Sequence, residues 1–305
     1  MEEREAVMMT EQEAIEGLKK YLIDTGKTQT AVAKELDVST GMLSSFIKGT
    51  YKAPHTVIPK VQELLQIREK KKVAPKEPEY KETSISRTVL NTIKYCHVQG
   101  KVGVVYGDPG IGKTMAFREY LRENGLAIGI TINPTYASIT GVNELLAEQL
   151  GVRERVTRKI TRDIVAKLKD SGRVIIIDEA QHLTTRTLNH LRCISDESGV
   201  GICLIGNLEV YTRLKGTGKA DFAQLFSRVG MAKPVMTVNI SHEDVTKVFG
   251  DYDIDQDSLE ILYRISQSSY GMRGAVNVYV NTAAVFEQIT AENLTKIMRD
   301  MNIGE

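Results

Sequence analysis

The chain has 305 residues, 42% of them hydrophobic, and a formal net charge of +1. That length is typical of about two domains, with enough apolar residues for an ordinary core. Because Lys plus Arg (40) nearly cancel Asp plus Glu (39), attraction to nucleic acid requires a local basic surface. The three cysteines are widely spaced and odd in number, which favours a reducing cytoplasm over a disulfide framework. No uncharged apolar run approaches the roughly 20 residues of a membrane span, so membrane insertion is not expected.

The first predicted domain, residues 1–66, is a compact all-helical module. Apolar residues recur at helical spacing in short segments that are broken by Gly26, Gly49 and Pro54. The following stretch, residues 67–86, is charged, contains two prolines and has almost nothing to bury. It is predicted to be a solvated linker.

Two of the amino-terminal helices have the spacing of a helix-turn-helix. Residues 29–36 form the first helix, Asp37 and Val38 form the turn, and Ser39 caps a second helix that ends at Lys48. Such turns usually contain a glycine, but Asp tolerates left-handed backbone better than most residues.

The second of these helices exposes small hydroxyl side chains instead of the Arg, Asn or Gln that read base edges. We therefore expect weak, poorly selective DNA binding with phosphate contacts from lysines. A helical module that docks another protein is the alternative. The candidate DNA contacts here are Ser39, Thr40, Ser44, Lys48 and Lys52.

The rest of the chain is predicted to be an α/β domain with a parallel sheet flanked by helices. Apolar β-branched runs alternate with amphipathic helical stretches, which is typical of such a sheet. A short strand-like segment at 235–240 is followed by a purely helical pattern. We therefore assign residues 87–240 to the core and residues 241–305 to a small α-helical lid. The predicted strands are 102–106, 128–132, 174–177 and 202–205.

The strongest motif is a complete phosphate-binding loop, G-D-P-G-I-G-K-T, which directly follows a buried strand. Its glycines let successive backbone N–H groups turn toward a phosphate, and the following helix adds a positive end. Lys113 should reach the β and γ phosphates of ATP, and the Thr114 hydroxyl should ligate Mg²⁺. A plain glycine turn is the alternative. The predicted nucleotide contacts are Gly107, Asp108, Pro109, Gly110, Ile111, Gly112, Lys113, Thr114 and Met115.

A second apolar strand ends in two carboxylates, Asp178 and Glu179. Burying them together would be costly without a cation or water. We predict that Asp178 holds Mg²⁺ and that Glu179 is the general base for the attacking water. A third strand ends at Asn207, whose amide is suited to orient that water. A solvated acidic strand end is the alternative.

Two arginines complete the predicted nucleotide site. Arg228 is predicted to neutralise transition-state charge on the γ phosphate of a neighbouring subunit. Arg273 is predicted to sense nucleotide from the lid. Either residue could instead be an ordinary surface arginine or serve a helix terminus.

In this order and with this lid, the motifs resemble the AAA+ P-loop ATPases. The helix-turn-helix narrows the resemblance to the MuB-like family of phage Mu transposition proteins, and TnsC and IstB are more distant. Residues 39–41, 44–47 and 225–228 carry this narrower likeness, which runs nearly end to end. The resemblance implies polymerisation on DNA with ATP, choice of the insertion target, and its delivery to a DDE-type transposase whose strand transfer is stimulated.

Residues 153–173 carry eight basic residues against three acidic ones. Such runs are usually solvated helix faces. The resemblance implies that this region faces the central pore of a ring or filament, where phosphate contacts would be independent of sequence and sensitive to salt. The candidate DNA contacts are Arg155, Arg158, Lys159, Arg162 and, more weakly, Arg186.

We therefore predict a cytoplasmic, DNA-stimulated ATPase of a bacterium or its phage that uses ATP and Mg²⁺. It forms a homo-oligomer, either a helical filament or a ring, on double-stranded DNA, and hydrolysis dismantles it. One alternative is a helicase-loader-like ATPase, which should favour single strands. The other is a nucleotide-regulated transcription factor, which should protect one palindromic operator.

Overall fold

The computed structural model describes residues 9–154, 156–215 and 228–304, and the chain divides into two compact units at Pro75. The amino-terminal unit is helical throughout its regular structure. Its helices are α1 (Glu11–Thr25), α2 (Gln29–Glu35), α3 (Thr40–Ile47) and α4 (Ile58–Val73), with a 3₁₀ turn at Pro54–Thr56.

Helices α2 and α3 lie at the positions that the sequence predicts for a helix-turn-helix. The Ser39 side chain accepts a hydrogen bond from the backbone N–H of Met42, as expected of an N-cap. Asp37 has a φ of 49°, which confirms the left-handed turn. The Lys60 ammonium donates to the Asp37 carbonyl at 2.9 Å, so α4 also supports this turn. Leu43 and Phe46 of α3 are fully buried and fix the helix against the unit's core.

The predicted linker begins later than expected, because α4 continues to Val73. Its last turns are rich in Lys, Arg and Glu, which are good helix formers even when exposed. The helix ends where Ala74 adopts an extended conformation (φ −59°, ψ 135°), as the residue before a proline prefers. At its other end the predicted linker overlaps α5, whose N-cap is Thr83.

The second unit, residues 76–305, is an α/β fold with a five-stranded sheet. Its strands are β1 (Val102–Gly107), β2 (Ala127–Thr131), β3 (Val174–Asp178), β4 (Gly201–Gly206) and β5 (Val229–Val235). Its helices are α5 (Ser84–Gln99), α6 (Lys113–Glu123), α7 (Ile139–Leu150), α8 (Thr157–Leu168), α9 (Thr185–Ser198), α10 (Leu208–Lys215), α11 (His242–Phe249), α12 (Gln256–Gln267), α13 (Gly271–Val285) and α14 (Ala291–Asp300).

The strands pair in the order β2-β3-β4-β1-β5, and every pairing is parallel. This confirms the predicted fold class, a parallel sheet with helices on both faces. Because all strands run the same way, the carboxyl ends of β1, β3 and β4 meet at one edge of the sheet. That edge is where ligands bind in open α/β sheets.

The two faces of the sheet bury separate cores. Helices α5 and α6 cover one face, in a core cluster that continues into the lid helices α11 to α14, and α7 to α10 cover the other. Alternate residues of each strand supply the two cores, so Ile176 packs on the lid side and Ile175 on the opposite side. Burial on both faces explains why the strands read as continuous apolar runs.

The strand predicted at 235–240 is wrong. Strand β5 ends at Val235, and Thr237–Asn239 is a 3₁₀ turn. Side chains capture the backbone N–H groups that a strand would use: the side-chain Oδ1 of Asn239 accepts from the Met236 N–H at 2.9 Å, and the Asp108 carboxylate accepts from the Thr237 N–H at 2.8 Å. Such local bonds compete with a sheet ladder.

None of the helices in the described ranges is both long and apolar enough to cross a membrane.

Helix α5 crosses the start of β4 so closely that only glycine fits at position 201. A Cβ added to Gly201 would lie 1.9 Å from the backbone oxygen of Cys96. We expect Gly201→Ala to lower the free energy of unfolding by about 1–3 kcal/mol, because overpacking forces the helix from the sheet. Urea denaturation measures this. The control is Gly125→Ala, where nothing lies within 4 Å of the added Cβ; equal stability of the two variants would contradict the packing argument.

Candidate nucleotide-binding site

The phosphate-binding loop links the end of β1 to the start of α6. Gly110 and Gly112 have positive φ angles of 72° and 99°, a backbone region that residues with a Cβ avoid. The Lys113 ammonium folds into the loop and donates to the carbonyl oxygens of Gly107, at 3.1 Å, and of Asp108. Burial lowers the pKa of Lys113, while the nearby carboxylates, led by Asp178, act in the opposite direction. A partly desolvated cation at the N-terminus of a helix suits an anionic phosphate.

Thr114 and Asp178 meet in front of this loop. The Thr114 Oγ1 donates to Asp178 Oδ2 at 2.8 Å. Asp178 is 2% exposed, and burial raises its pKa although the hydrogen bond from Thr114 opposes the shift. A hydroxyl beside a buried carboxylate is the kind of oxygen donor set that a hard divalent cation takes. The two predicted metal ligands therefore fit Mg²⁺.

Glu179 follows Asp178 in a left-handed conformation (φ 55°, ψ 35°), which is uncommon for a residue with a side chain and is concentrated at functional sites. Its carboxylate accepts a hydrogen bond from the side-chain amide of Gln181. The sequence analysis did not single out Gln181. The only signal was its place two residues after the predicted general base.

Asn207 lies at the end of β4, as predicted. Its backbone N–H donates to Gln181 Oε1 at 3.3 Å. Its side-chain oxygen accepts from the backbone of Glu209 at 2.9 Å and caps α10. Its side-chain amide nitrogen makes no hydrogen bond to the described part of the chain, so it is a donor that a ligand could use.

The lid reaches the loop through Arg273 in the first turn of α13. The Arg273 backbone N–H donates to the Gly110 carbonyl at 2.8 Å. A Cβ on Gly110 would lie 2.8 Å from the Tyr270 oxygen, so the contact is close. The positive charge of Arg273 is among the groups that lower the pKa of Lys113, after burial as the main cause.

Two loop residues predicted to contact nucleotide, Asp108 and Ile111, have side chains that point elsewhere. The Asp108 carboxylate accepts hydrogen bonds from the backbone and hydroxyl of Thr237, and so fixes the connection to the lid. Ile111 is buried in the core on the lid side, and Met115 is 43% exposed on α6. Only the backbone of Asp108 and Ile111 remains for a phosphate.

Arg228 lies at the amino-terminal ends of the strands, opposite the ends that carry the nucleotide site. It precedes Val229, which begins β5 and pairs with Val102 at the start of β1. At the rise per residue of a β-strand, Gly107 at the other end of β1 lies roughly 16 Å from Val102. Arg228 therefore cannot reach the nucleotide site of its own subunit. Its guanidinium lies 3.6 Å from Asp196, and its side chain is 56% exposed.

The predicted DNA contacts do not form one cluster with the nucleotide site. Arg158, Lys159 and Arg162 are exposed on the outer face of α8, whose inner face buries Ile160 and Ile164. Arg158 and Arg162 also line a surface hollow of about 550 Å³. Arg155 lies outside the described residues. Arg186 is exposed in the first turn of α9. In the amino-terminal unit, Ser44 is half-buried, and the exposed candidates are Ser39, Thr40, Lys48 and Lys52.

Buried hydrogen bonds attach the basic helix α8 to its neighbours. The Asn143 side chain on α7 donates to the Thr161 hydroxyl at 2.8 Å and lies 2.9 Å from His190 Nε2 on α9. Asn143 is fully buried, and burial lowers the pKa of His190. A satisfied polar contact of this kind fixes the position of α8.

Comparison with known proteins agrees with this architecture. Residues 96–214 match the AAA domain family. The crystal structure of Cdc6p from Pyrobaculum aerophilum superposes with a TM-score of 0.55, covering 72% of this chain and 68% of Cdc6p. At 15% identity, that likeness shows the fold alone.

Two full-length relatives are more informative. The Mu-like prophage FluMu DNA transposition protein B of Haemophilus influenzae is 30% identical over 274 residues, covering 87% of this chain and 94% of the relative. The ATP-dependent target DNA activator B of Escherichia phage Mu is 30% identical over 300 residues, covering 94% of each chain. The chain therefore belongs to the Mu-type family of transposition proteins B, with an AAA domain at its centre.

Proposed function

We propose that this protein is an ATPase that activates target DNA for transposition. With ATP it oligomerises on duplex DNA with little sequence preference and delivers that DNA to a DDE-type transposase, whose strand transfer it stimulates. The observation that carries the proposal is that a relative named ATP-dependent target DNA activator B aligns with 94% of this chain. The grouping of Lys113, Thr114, Asp178, Glu179 and Asn207 at the carboxyl ends of the strands supports it.

Each residue of the site has a role in the hydrolysis of ATP. The loop N–H groups and Lys113 bind the phosphates, and Arg273 approaches from the lid. Thr114 and Asp178 would hold Mg²⁺, whose charge offsets that of the β and γ phosphates. Glu179 accepts the proton of the attacking water as that water bonds to the γ phosphorus and the bond to ADP breaks. The free amide of Asn207 orients the same water.

The site is completed by a second subunit. Arg228 is roughly a strand's length from its own phosphate-binding loop, and its half-exposed guanidinium is free to approach another molecule once it leaves Asp196. A guanidinium at the γ phosphate of the neighbour neutralises charge that develops in the transition state. ATP bound at this junction stabilises the oligomer, and hydrolysis releases it.

The DNA surface is the outer face of α8, with weaker contacts from α3 of the amino-terminal unit. No acidic side chain within the described ranges pairs with Arg158 or Lys159, so both charges are available for phosphates. Because α8 is held by the Asn143 contacts, these charges are presented on a fixed element. Phosphate contacts carry no sequence information, which suits a protein that accepts many targets.

Nucleotide should control how the full-length protein binds duplex DNA. We expect cooperative coating with ATP but not ADP, loss of coating in Lys113→Ala because the phosphates lose their cation, and longer-lived coating in Glu179→Gln because hydrolysis stops. Fluorescence anisotropy and electron microscopy measure this, with the exposed Lys94→Ala of α5 as the control. Binding that ignores nucleotide, selects one operator or prefers single strands would overturn the proposal.

Arg228→Ala should lower the ATPase rate by about 100-fold or more at high protein concentration, as expected for loss of one transition-state donor. Mixing tests the trans arrangement directly. Arg228→Ala retains Glu179, and Glu179→Gln retains Arg228, so junctions that combine the two intact residues should recover activity. If the mixture is no more active than the sum of its parts, Arg228 does not act on a neighbour.

Neutralising the α8 surface should weaken DNA binding in a salt-dependent way. For Arg158→Gln with Lys159→Gln, we expect the slope of log K against log salt to become shallower by about 2, one unit for each lost phosphate contact. The ATPase rate without DNA should not change. Unaltered affinity and slope, relative to Lys94→Ala, would show that DNA does not bind this face.

A further inference from the structure

The side chain of Gln181 bridges the predicted general base and the end of strand β4. Its Nε2 donates to Glu179 Oε2, and its Oε1 accepts from the backbone N–H of Asn207 at 3.3 Å. One amide thereby links the two residues that the proposed mechanism places around the attacking water.

The orientation of this amide is fixed by chemistry. A backbone N–H can only donate, so the oxygen of Gln181 has to face Asn207. The amide nitrogen then faces Glu179, whose ionised carboxylate can only accept. Each group meets the partner it requires, and reversal of the amide would place donor against donor and acceptor against acceptor.

The position of Gln181 is also fixed from both sides. A Cβ on Gly206 would lie 2.5 Å from Gln181 Oε1, so only glycine at that position leaves room for the amide. The guanidinium of Arg213 on α10 donates to the backbone oxygens of Gln181, at 2.9 Å, and of Leu183. Stacking of Tyr211 on Tyr106, with ring centroids 4.3 Å apart, holds α10 against β1.

We propose that Gln181 is a positioning residue for the general base. By occupying Oε2 it fixes the plane of the Glu179 carboxylate and leaves Oε1 to accept the proton of the attacking water. Its bond to the Asn207 backbone holds that oxygen at a fixed position relative to the end of strand β4. This inference rests on the proposed role of Glu179 as the general base. A flexible carboxylate without this support would spend much of its time out of reach of the water.

The test is steady-state ATPase kinetics of the full-length protein with saturating duplex DNA. For Gln181→Ala and for the equally large Gln181→Met, we expect kcat to fall about tenfold, the effect of one hydrogen bond to a charged group. The KM for ATP and the affinity for a fluorescent ATP analogue should stay within about twofold of wild type, since phosphate binding does not involve Gln181. The matched control is Gln149→Ala, an exposed glutamine on α7.

Two further variants separate positioning from packing. In the Glu179→Gln background, Gln181→Ala should cause no additional loss, because residues that act as a unit are not additive. Gly206→Ala should reproduce the kcat loss by displacing the amide, and should add nothing to Gln181→Ala.

The proposal is overturned if Gln181→Met retains wild-type turnover, because the side chain would then only fill space. It is also overturned if KM rises while kcat is unchanged, or if the losses of Gln181→Ala and Glu179→Gln multiply. Failure of the underlying function gives a different result: Glu179→Gln itself would still hydrolyse ATP at the wild-type rate.

Discussion

The hydrogen bond between Thr114 and Asp178 is the contact around which the nucleotide site is arranged. It joins the first turn of α6, which follows β1, to the end of β3. In the sheet, β4 lies between β1 and β3. This meeting is possible because β1, β4 and β3 are parallel and in register, so their carboxyl ends finish at the same level. Glu179 and Asn207, which follow β3 and β4, are placed by the same alignment. A slip in any of these pairings would separate the phosphate-binding loop from its carboxylates.

The phosphate-binding loop is tied to the lid at two points. Asp108 at its start holds the connection to the lid, and Gly110 in its middle accepts a bond from Arg273. A nucleotide that binds this loop therefore contacts an element already attached to both parts of the unit.

The three proposed activities occupy different parts of the second unit. Hydrolysis belongs to the carboxyl edge of the sheet, contact with the next subunit to Arg228 at the amino edge, and DNA binding to the outer face of α8. Helix α10 contacts the first of these regions, because Arg213 donates to the backbone of the segment after Glu179. In the proposed function, this separation would let one subunit bind ATP, DNA and its neighbours at the same time.

The sequence by itself determined the fold class, four of the strands, the helix-turn-helix and the residue types of the nucleotide site. These features depend on local pattern: apolar runs, caps, the glycines of the loop and the paired carboxylates. The tertiary structure decided what depends on contacts between distant segments. Only the sheet order shows that Arg228 cannot serve its own site, and only packing shows that Asp108 and Ile111 direct their side chains away from the nucleotide. The role of Gln181 was hidden for the same reason, since its partners Gly206, Asn207 and Arg213 are far along the chain and a lone glutamine carries no signal of its own.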